Sequence, residues 1–393
     1  MQEIGTNVAS SGFNPLRLSI ARSARGLKKV ELAAKIGRSP AIITKWESAE
    51  YSHKPDEEDL ARLSQSLRVD PTWFFKGLVS DGSASFFRSL RSELKSARDK
   101  TAAKLVFAHD IYEAAAQHIE FPYVDIPQIE ESNSYKTLSM DRIDSIADQV
   151  RDYWGLGDGP IDDVLTVIEN AGVIVADDYL VSKKLDGVSR WFDDRPVILL
   201  AKDKETGVRR RFDAAHELGH IILHRNVSDR QLIEDWQLIE DQAMAFAAAF
   251  LMPSSSFAHS VRDTSLDSLA NLKPIWKVSI AAMLMRLRSL NLIDQTESKN
   301  LWKYYSYRKW RGNEPHDNQI DFEEPVNLAS AIAMIAEDGL AELRKFLRDV
   351  GLLPDDLSSL AGVSEGTFAL ATRPKPRLKL VRNLDSVKSA AND

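Results

Sequence analysis

Apolar positions in the first seventy residues recur at helical spacing in short runs separated by breakers. Leu16, Ile20 and Ala24 fall at i, i+4 and i+8, and Gly26 ends that run. The stretch KKVELAAKIG predicts a second helix, stopped by Gly37. SPAIITKWES predicts a third, with Ser39 as N-cap and Pro40 at the first helical position. DEEDLARLSQSL predicts a fourth, capped by Asp56, with Leu60, Leu63 and Leu67 as its stripe. Residues 1–13 are polar and read as a frayed start. Residues 80–120 read as a helical, partly basic connector, and EFPYVDIPQIEES, with two prolines, as extended linker. Helices follow over 140–154 and over GPIDDVLTVIENAG, ended by Gly155 and Gly172. The period then changes. VIVADD, GVSRWF and RPVILLA are short and β-rich, and Asp193-Asp194-Arg195-Pro196 predicts a hairpin turn between the last two. A helical pattern returns near Arg209 and runs, with breaks, to a basic tail, RPKPRLKLVRN.

Length and composition narrow this. A chain of 393 residues allows two or three domains. With no cysteine, disulfides and thiolate metal sites are excluded, so any metal must be held by His, Asp or Glu. No apolar run reaches membrane-spanning length and the start lacks a signal-peptide core, so a soluble cytoplasmic protein with no membrane partner is expected. The net charge of −7 argues against nucleic acid if read globally. Between Asn14 and Lys54, however, nine Lys/Arg stand against three Glu, a local balance of +6. Such a block is a candidate footprint for phosphate.

The ordered set Arg17, Ala21, Arg22, Arg25-Gly26, Leu32-Ala33, Ile36-Gly37, Ser39, Ile43, Trp46-Glu47, Leu60, Leu63 and Leu67 resembles the Cro/repressor-type (XRE) helix-turn-helix family over residues 14–75. Ala49 departs from the glycine frequent after Trp-Glu-x. The resemblance implies double-stranded operator DNA as partner and a homodimer. The third helix would enter the major groove by its N-terminal end. Ser39, Ala41, Thr44 and Lys45 are then candidates for base edges, and Lys28, Lys29 and Arg38 for phosphates. Ile43 and Trp46 are expected in the core. The plainer reading of the segment is a small helical bundle used for protein contacts.

Further along, RRFDAAHELGHIILHR contains His-Glu-x-x-His. On a helix His216 and His220 share a face and reach one ion. Glu217 is turned about a hundred degrees from His216, off the ligand line but beside it, where a carboxylate can take a proton from water. Zinc suits this chemistry because it lowers the pKa of bound water to about 7 and polarises a carbonyl. The plainer reading is histidines coinciding on a helix. Ala215, Leu218, Ile221, Ile222 and Leu223 bury that helix, however, and buried imidazoles need partners. Gly219 predicts close approach of another helix. In LIEDQAMAFAAAFLMP, Glu240, Ala243 and Ala247 form a stripe whose small residues would let Glu240 reach the metal. Glu234 and Asp241 compete less well, the first preceding the stripe and the second pointing away from it. His224 is one turn too far to ligate and is expected to pack or hydrogen-bond. A His2Glu set with an open fourth position is the catalytic arrangement.

Residues 140–290 resemble the ImmA/IrrE family of zinc metallopeptidases. The resemblance rests on Arg211-Phe212, Ala215 to His220, Glu240 to Ala247 and Leu251 to Pro253. It supports His216, His220 and Glu240 as zinc ligands and Glu217 as base. Met244, where a polar residue is common, puts one outer contact in question. The resemblance also implies cleavage of a helix-turn-helix repressor, another chain or this one, relieving repression in a stress or mobile-element response. Strands 188–201 could offer an edge to an extended substrate, or simply cover the core. The rival is a non-proteolytic or antitoxin-like DNA-binding regulator whose metal domain serves sensing or interaction.

The expected fold class is α+β and mostly helical: an all-α helix-turn-helix, a central zincin-like helical domain with a small β-sheet, and a helical C-terminal region. The divisions read 1–13, 14–75, 76–135 (connector), 136–290 (metallopeptidase) and 291–393. In the last, VSIAAMLMRLRSLNLI carries a stripe through Ala282, Met285 and Leu290 with Ser279 as cap, and LWKYYSYRKWRGNEP is rich in aromatics. Core packing is the expected use of both.

Overall fold

The computed structural model describes residues 12–51, 54–77, 86–87, 95–129, 135–180, 186–203 and 206–372. The expected basic tail, most of the frayed start and part of the connector lie outside them.

Among the described residues is a four-stranded sheet in the order β1-β3-β4-β2. Its strands are β1 (Phe86–Phe87), β2 (Ile174–Asp178), β3 (Gly187–Phe192) and β4 (Arg195–Ala201). β3 and β4 form the predicted hairpin, turning at Asp193, whose φ is +50°. β2 runs parallel to β4. β1 pairs antiparallel with β3 and was not foreseen. It fills the β3 edge over Val188 and Ser189.

The described residues also form seventeen α-helices. The N-terminal group is α1 (Pro15–Ala24), α2 (Lys29–Ile36), α3 (Pro40–Trp46) and α4 (Glu57–Leu67), then a 3-10 turn at Pro71–Phe75 and α5 (Lys95–Ala115). The middle holds α6 (Met140–Tyr153), α7 (Val164–Asn170), α8 (Gly207–Leu223), α9 (Asp229–Glu234), α10 (Trp236–Leu251), α11 (Ser254–Ser260), α12 (Leu266–Trp276) and α13 (Ile280–Ser289). The remainder is α14 (Gln295–Tyr307), α15 (Asn327–Asp338), α16 (Leu340–Val350) and α17 (Pro354–Ala361). Local chemistry sets the ends. Asp56 accepts from the Asp59 amide at 2.8 Å, Ser279 accepts from Ala282 at 3.0 Å, and Gly37 ends α2 at φ +69°.

The sheet divides two cores. On one face Ile174, Ala176, Val188, Val197 and Leu199 pack with α1 to α5 and with α15 to α17. On the other face Val175, Trp191, Ile198 and Leu200 pack with α6, α7, α8, α10, α12 and α13. Alternate side chains therefore go to different cores, and the strands are buried on both faces, as sheets covered by helices are.

Four sequence expectations need correction. α5 is helical as expected but does more than connect: Leu105, Phe107, Ala108 and Ile111 are wholly buried, in the core that also holds α1. Phe13 is not frayed; its ring lies 6.0 Å from that of Phe74. On α1 the buried stripe is Leu18, Ala21 and Ala24 while Leu16 is 57% exposed, and Arg17 enters the interior because Asp110 neutralises it. On α13, Ile280, Met283, Leu284 and Leu287 face inward and Met285 faces solvent. Of the C-terminal aromatics, Tyr305 is buried with its hydroxyl on Glu314 at 2.9 Å, whereas Tyr304 and Tyr307 are exposed.

Candidate metal centre and DNA-reading helix

In the N-terminal group, α2 and α3 are joined through Gly37. Ser39, Ala41, Thr44 and Lys45 all face solvent, whereas Ile43 and Trp46 are in the core, as the pattern requires. The basic block is partly spent inside the protein. Arg17 pairs with Asp110, Arg22 with Glu47, Arg25 with Asp356 and Arg38 with Asp59. Lys29 lies 3.2 Å from Glu47. Of the expected phosphate contacts, Lys28 alone is exposed without such an ion pair among the described residues. The footprint that remains is Lys28, Lys35 and Lys45, narrower than charge counting suggested.

The second constellation is built on two helices. α8 carries His216, Glu217 and His220 and is followed by His224 as its C-cap, and α10 carries Glu240 and Gln242. Gly219 is the reason they approach so closely. A Cβ there would lie 3.1 Å from the Phe246 ring and 3.2 Å from the Ala243 carbonyl. Arg210 and Arg211 fix the start of α8. Arg210 pairs with Asp177 of β2, and Arg211 with Glu323 and the Asp162 carbonyl. Burial lowers the Arg211 pKa to about 10, which leaves the guanidinium charged at neutral pH.

The ligand atoms of His216, His220 and Glu240 lie within 4.8 Å of one another, and all three residues are buried. The two Nε2 atoms are 3.1 Å apart. Glu240 Oε2 is 3.5 Å from His216 Nε2, and Oε1 is 3.4 Å from His220 Nε2. Burial pushes the Glu240 carboxyl up, but hydrogen bonding and attraction from His216 and His220 outweigh it and hold the group below the usual carboxylate range.

A chain of hydrogen bonds behind His220 sets its tautomer. The Tyr135 carbonyl can only accept, so the Gln242 amide nitrogen faces it, at 2.6 Å. Gln242 Oε1 therefore accepts from His224 Nε2–H at 3.0 Å. Burial drives the His224 pKa down to about 3, so this ring is neutral and its Nδ1 is bare. That Nδ1 accepts from His220 Nδ1–H at 3.1 Å. His220 Nε2 is left facing a carboxylate oxygen 3.4 Å away, where a proton or a metal cation would bridge the two. Two imidazole nitrogens and a carboxylate are the donor set for Zn²⁺, and they fit it. Replacing Gln242 with Leu is expected to weaken zinc binding about 10–100-fold, measured by competition with a chromophoric chelator. Unchanged affinity would sink the relay. His224 behaves as expected from sequence; Gln242 and Tyr135 were missed because their roles depend on the fold.

Glu217 is 1% exposed and stands against β3. Its Oε2 accepts from Ser189 Oγ–H at 2.6 Å. A Cβ at Gly187 would lie 2.9 Å from its Oε1, so glycine keeps the carboxylate's place open. Neither residue carried a signal in the sequence; both matter only once β3 lies beside α8.

Among the described residues no helix is long and apolar enough to cross a membrane. A comparison with curated proteins gave no match. Residues 18–74 match the helix-turn-helix family model, and residues 169–288 match that of the IrrE N-terminal-like domain, a peptidase family. The chain thus joins an XRE-type helix-turn-helix domain to an IrrE N-terminal-like peptidase-family domain.

Proposed function

We propose that this protein is a transcriptional regulator whose zinc-dependent endopeptidase domain cleaves a helix-turn-helix repressor, another chain or itself, to relieve repression in a stress or mobile-element response. It binds operator DNA as a homodimer, with Ser39, Ala41, Thr44 and Lys45 toward the bases and Lys28, Lys29 and Arg38 toward phosphates. Lys29 and Arg38 must then exchange or share their carboxylate partners. His216, His220 and Glu240 hold the metal. Zinc, when bound, supplies a Lewis acid that polarises the scissile carbonyl. Glu217 accepts the proton of the attacking water and later returns it to the leaving amine. Its burial against β3 excludes bulk water, and Ser189 aims the carboxylate.

One observation carries this reading: a buried two-histidine, one-carboxylate set with a further buried carboxylate beside it, on the same chain as a DNA-reading module. A purely structural metal site has no use for Glu217. The test incubates the zinc-loaded protein with a cognate repressor and follows fragments of both chains. Fragments that appear with zinc and vanish on chelation support the peptidase. Two intact chains under both conditions would leave the non-proteolytic, antitoxin-like regulator.

A further inference from the structure

The strand position beside Glu217 is already filled by the chain itself. β3 touches Glu217 through Ser189 and makes room for it at Gly187. On the side of β3 away from β4, Phe86 pairs with Ser189 and Phe87 with Val188, antiparallel. An exposed sheet edge binds an extended peptide by main-chain hydrogen bonds, with alternate side chains giving specificity. Here Ser189, which would pair with such a peptide, also aims the carboxylate.

We propose that this edge takes an extended peptide antiparallel to β3, and that Phe86–Phe87 is its resident occupant, which a peptide in trans must displace. The proposal rests on reading His216, Glu217, His220 and Glu240 as a peptidase centre. Two features favour a competitor over a substrate. The chain on either side of β1 is anchored in one core: Trp73 and Phe74 before it are wholly buried, and α5 after it packs with them. The Trp73 ring lies 5.4 Å from that of Phe107, and Trp73 Nε1–H donates to Asp110. A cut between Gly77 and Lys95 would therefore leave the helix-turn-helix docked and release nothing. Among the described residues the pairing spans Phe86 and Phe87, a short ladder for a longer extended peptide to displace. The tether compensates, because an intramolecular segment acts at an effective concentration on the order of millimolar.

The probe is a fluorescein-labelled peptide with the sequence of residues 82–91, GSASFFRSLR. It is titrated into the zinc-loaded full chain carrying Glu217→Gln, so that nothing is cut. Adding Phe86→Pro and Phe87→Pro removes the strand's amide donors, which a paired strand does not tolerate. Phe86→Gly with Phe87→Ser weakens the strand without proline's constraint. Both versions are expected to bind the peptide at least about tenfold more tightly. Both are also expected to speed amide exchange over residues 187–190. Faster exchange with unchanged affinity would overturn the proposal, because the freed edge would not be where peptides bind. Unchanged exchange would overturn it too, because β1 would not hold the edge in solution. The peptidase reading fails separately: a proline variant with Glu217 intact that binds the peptide yet cuts nothing leaves the strand site standing.

Discussion

Glu217→Gln is expected to leave zinc content unchanged and to lower the rate of peptide cleavage on the order of 10²–10⁴-fold, which is the usual contribution of a positioned general base. That drop corresponds to about 3–5 kcal/mol of transition-state stabilisation. The separation of the two readouts follows from the geometry. Glu217 is not among the three residues whose ligand atoms converge. Glutamine keeps an oxygen that can accept from Ser189 Oγ–H, and it has nearly the same shape in the pocket under Gly187. What it lacks is the capacity to take a proton. The measurement pairs metal analysis of purified protein with initial rates on a repressor substrate. A variant that keeps both its zinc and its rate would remove Glu217 from the chemistry. A variant that loses zinc would mean the side chain supports the metal pocket instead.

The convergence of His216, His220 and Glu240 was legible because its information is local. The i, i+4 spacing puts His216 and His220 on one side of α8, and the alanine stripe with Glu240 at its head needs only a neighbouring helix. Gly219 announced that neighbour, and Ala243 and Phe246 are what it meets. Strands β2, β3 and β4 were legible for the same reason, as β-branched runs cut by a turn. What stayed hidden depends on distant pairing. Ser189 is an ordinary strand residue until α8 lies on it. Nothing in the residues around Phe86 predicts that they will lie along β3. The mistaken stripes on α1 and α13 have a related cause. On both helices two neighbouring rows are apolar, and the docking partner decides which turns inward. Charge counting failed most clearly, because Arg25 and Asp356 are 331 positions apart and local composition cannot register such a pairing.

That pair yields the second large effect. Asp356→Ala is expected to destabilise the protein by about 3–5 kcal/mol, the usual cost of removing one partner from a buried ion pair. Asp356 sits on α17 and receives two cations. Arg25 reaches it through both terminal nitrogens, at 2.8 and 2.6 Å, and Lys104 of α5 at 2.8 Å. Lys104 also faces Asp178 at the end of β2, 3.5 Å away, where Ser359 Oγ–H donates to the same carboxylate at 2.7 Å. Arg25 is tied back to the Leu67 carbonyl at the end of α4. One carboxylate thus joins the DNA-reading group, α5, α17 and, through Lys104, the sheet that carries Ser189. Burial pushes its pKa up, but Arg25 and Lys104 outweigh that and hold it below the ordinary carboxylate value. A depressed folded-state pKa gives stability that is present above the unfolded value of about 4 and is lost as pH falls through the folded one. The gap between parent and variant should therefore be full at neutral pH and shrink below about pH 4. Urea unfolding at several pH values measures it. A gap under about 1 kcal/mol at neutral pH would be that of an exposed pair and would contradict the buried junction. Exchange at α1 and α17 should rise together in the variant, because both lean on the same carboxylate. The helix-turn-helix is then not a separate module on a string: what loosens its grip on α17 also reaches the strand that aims Glu217.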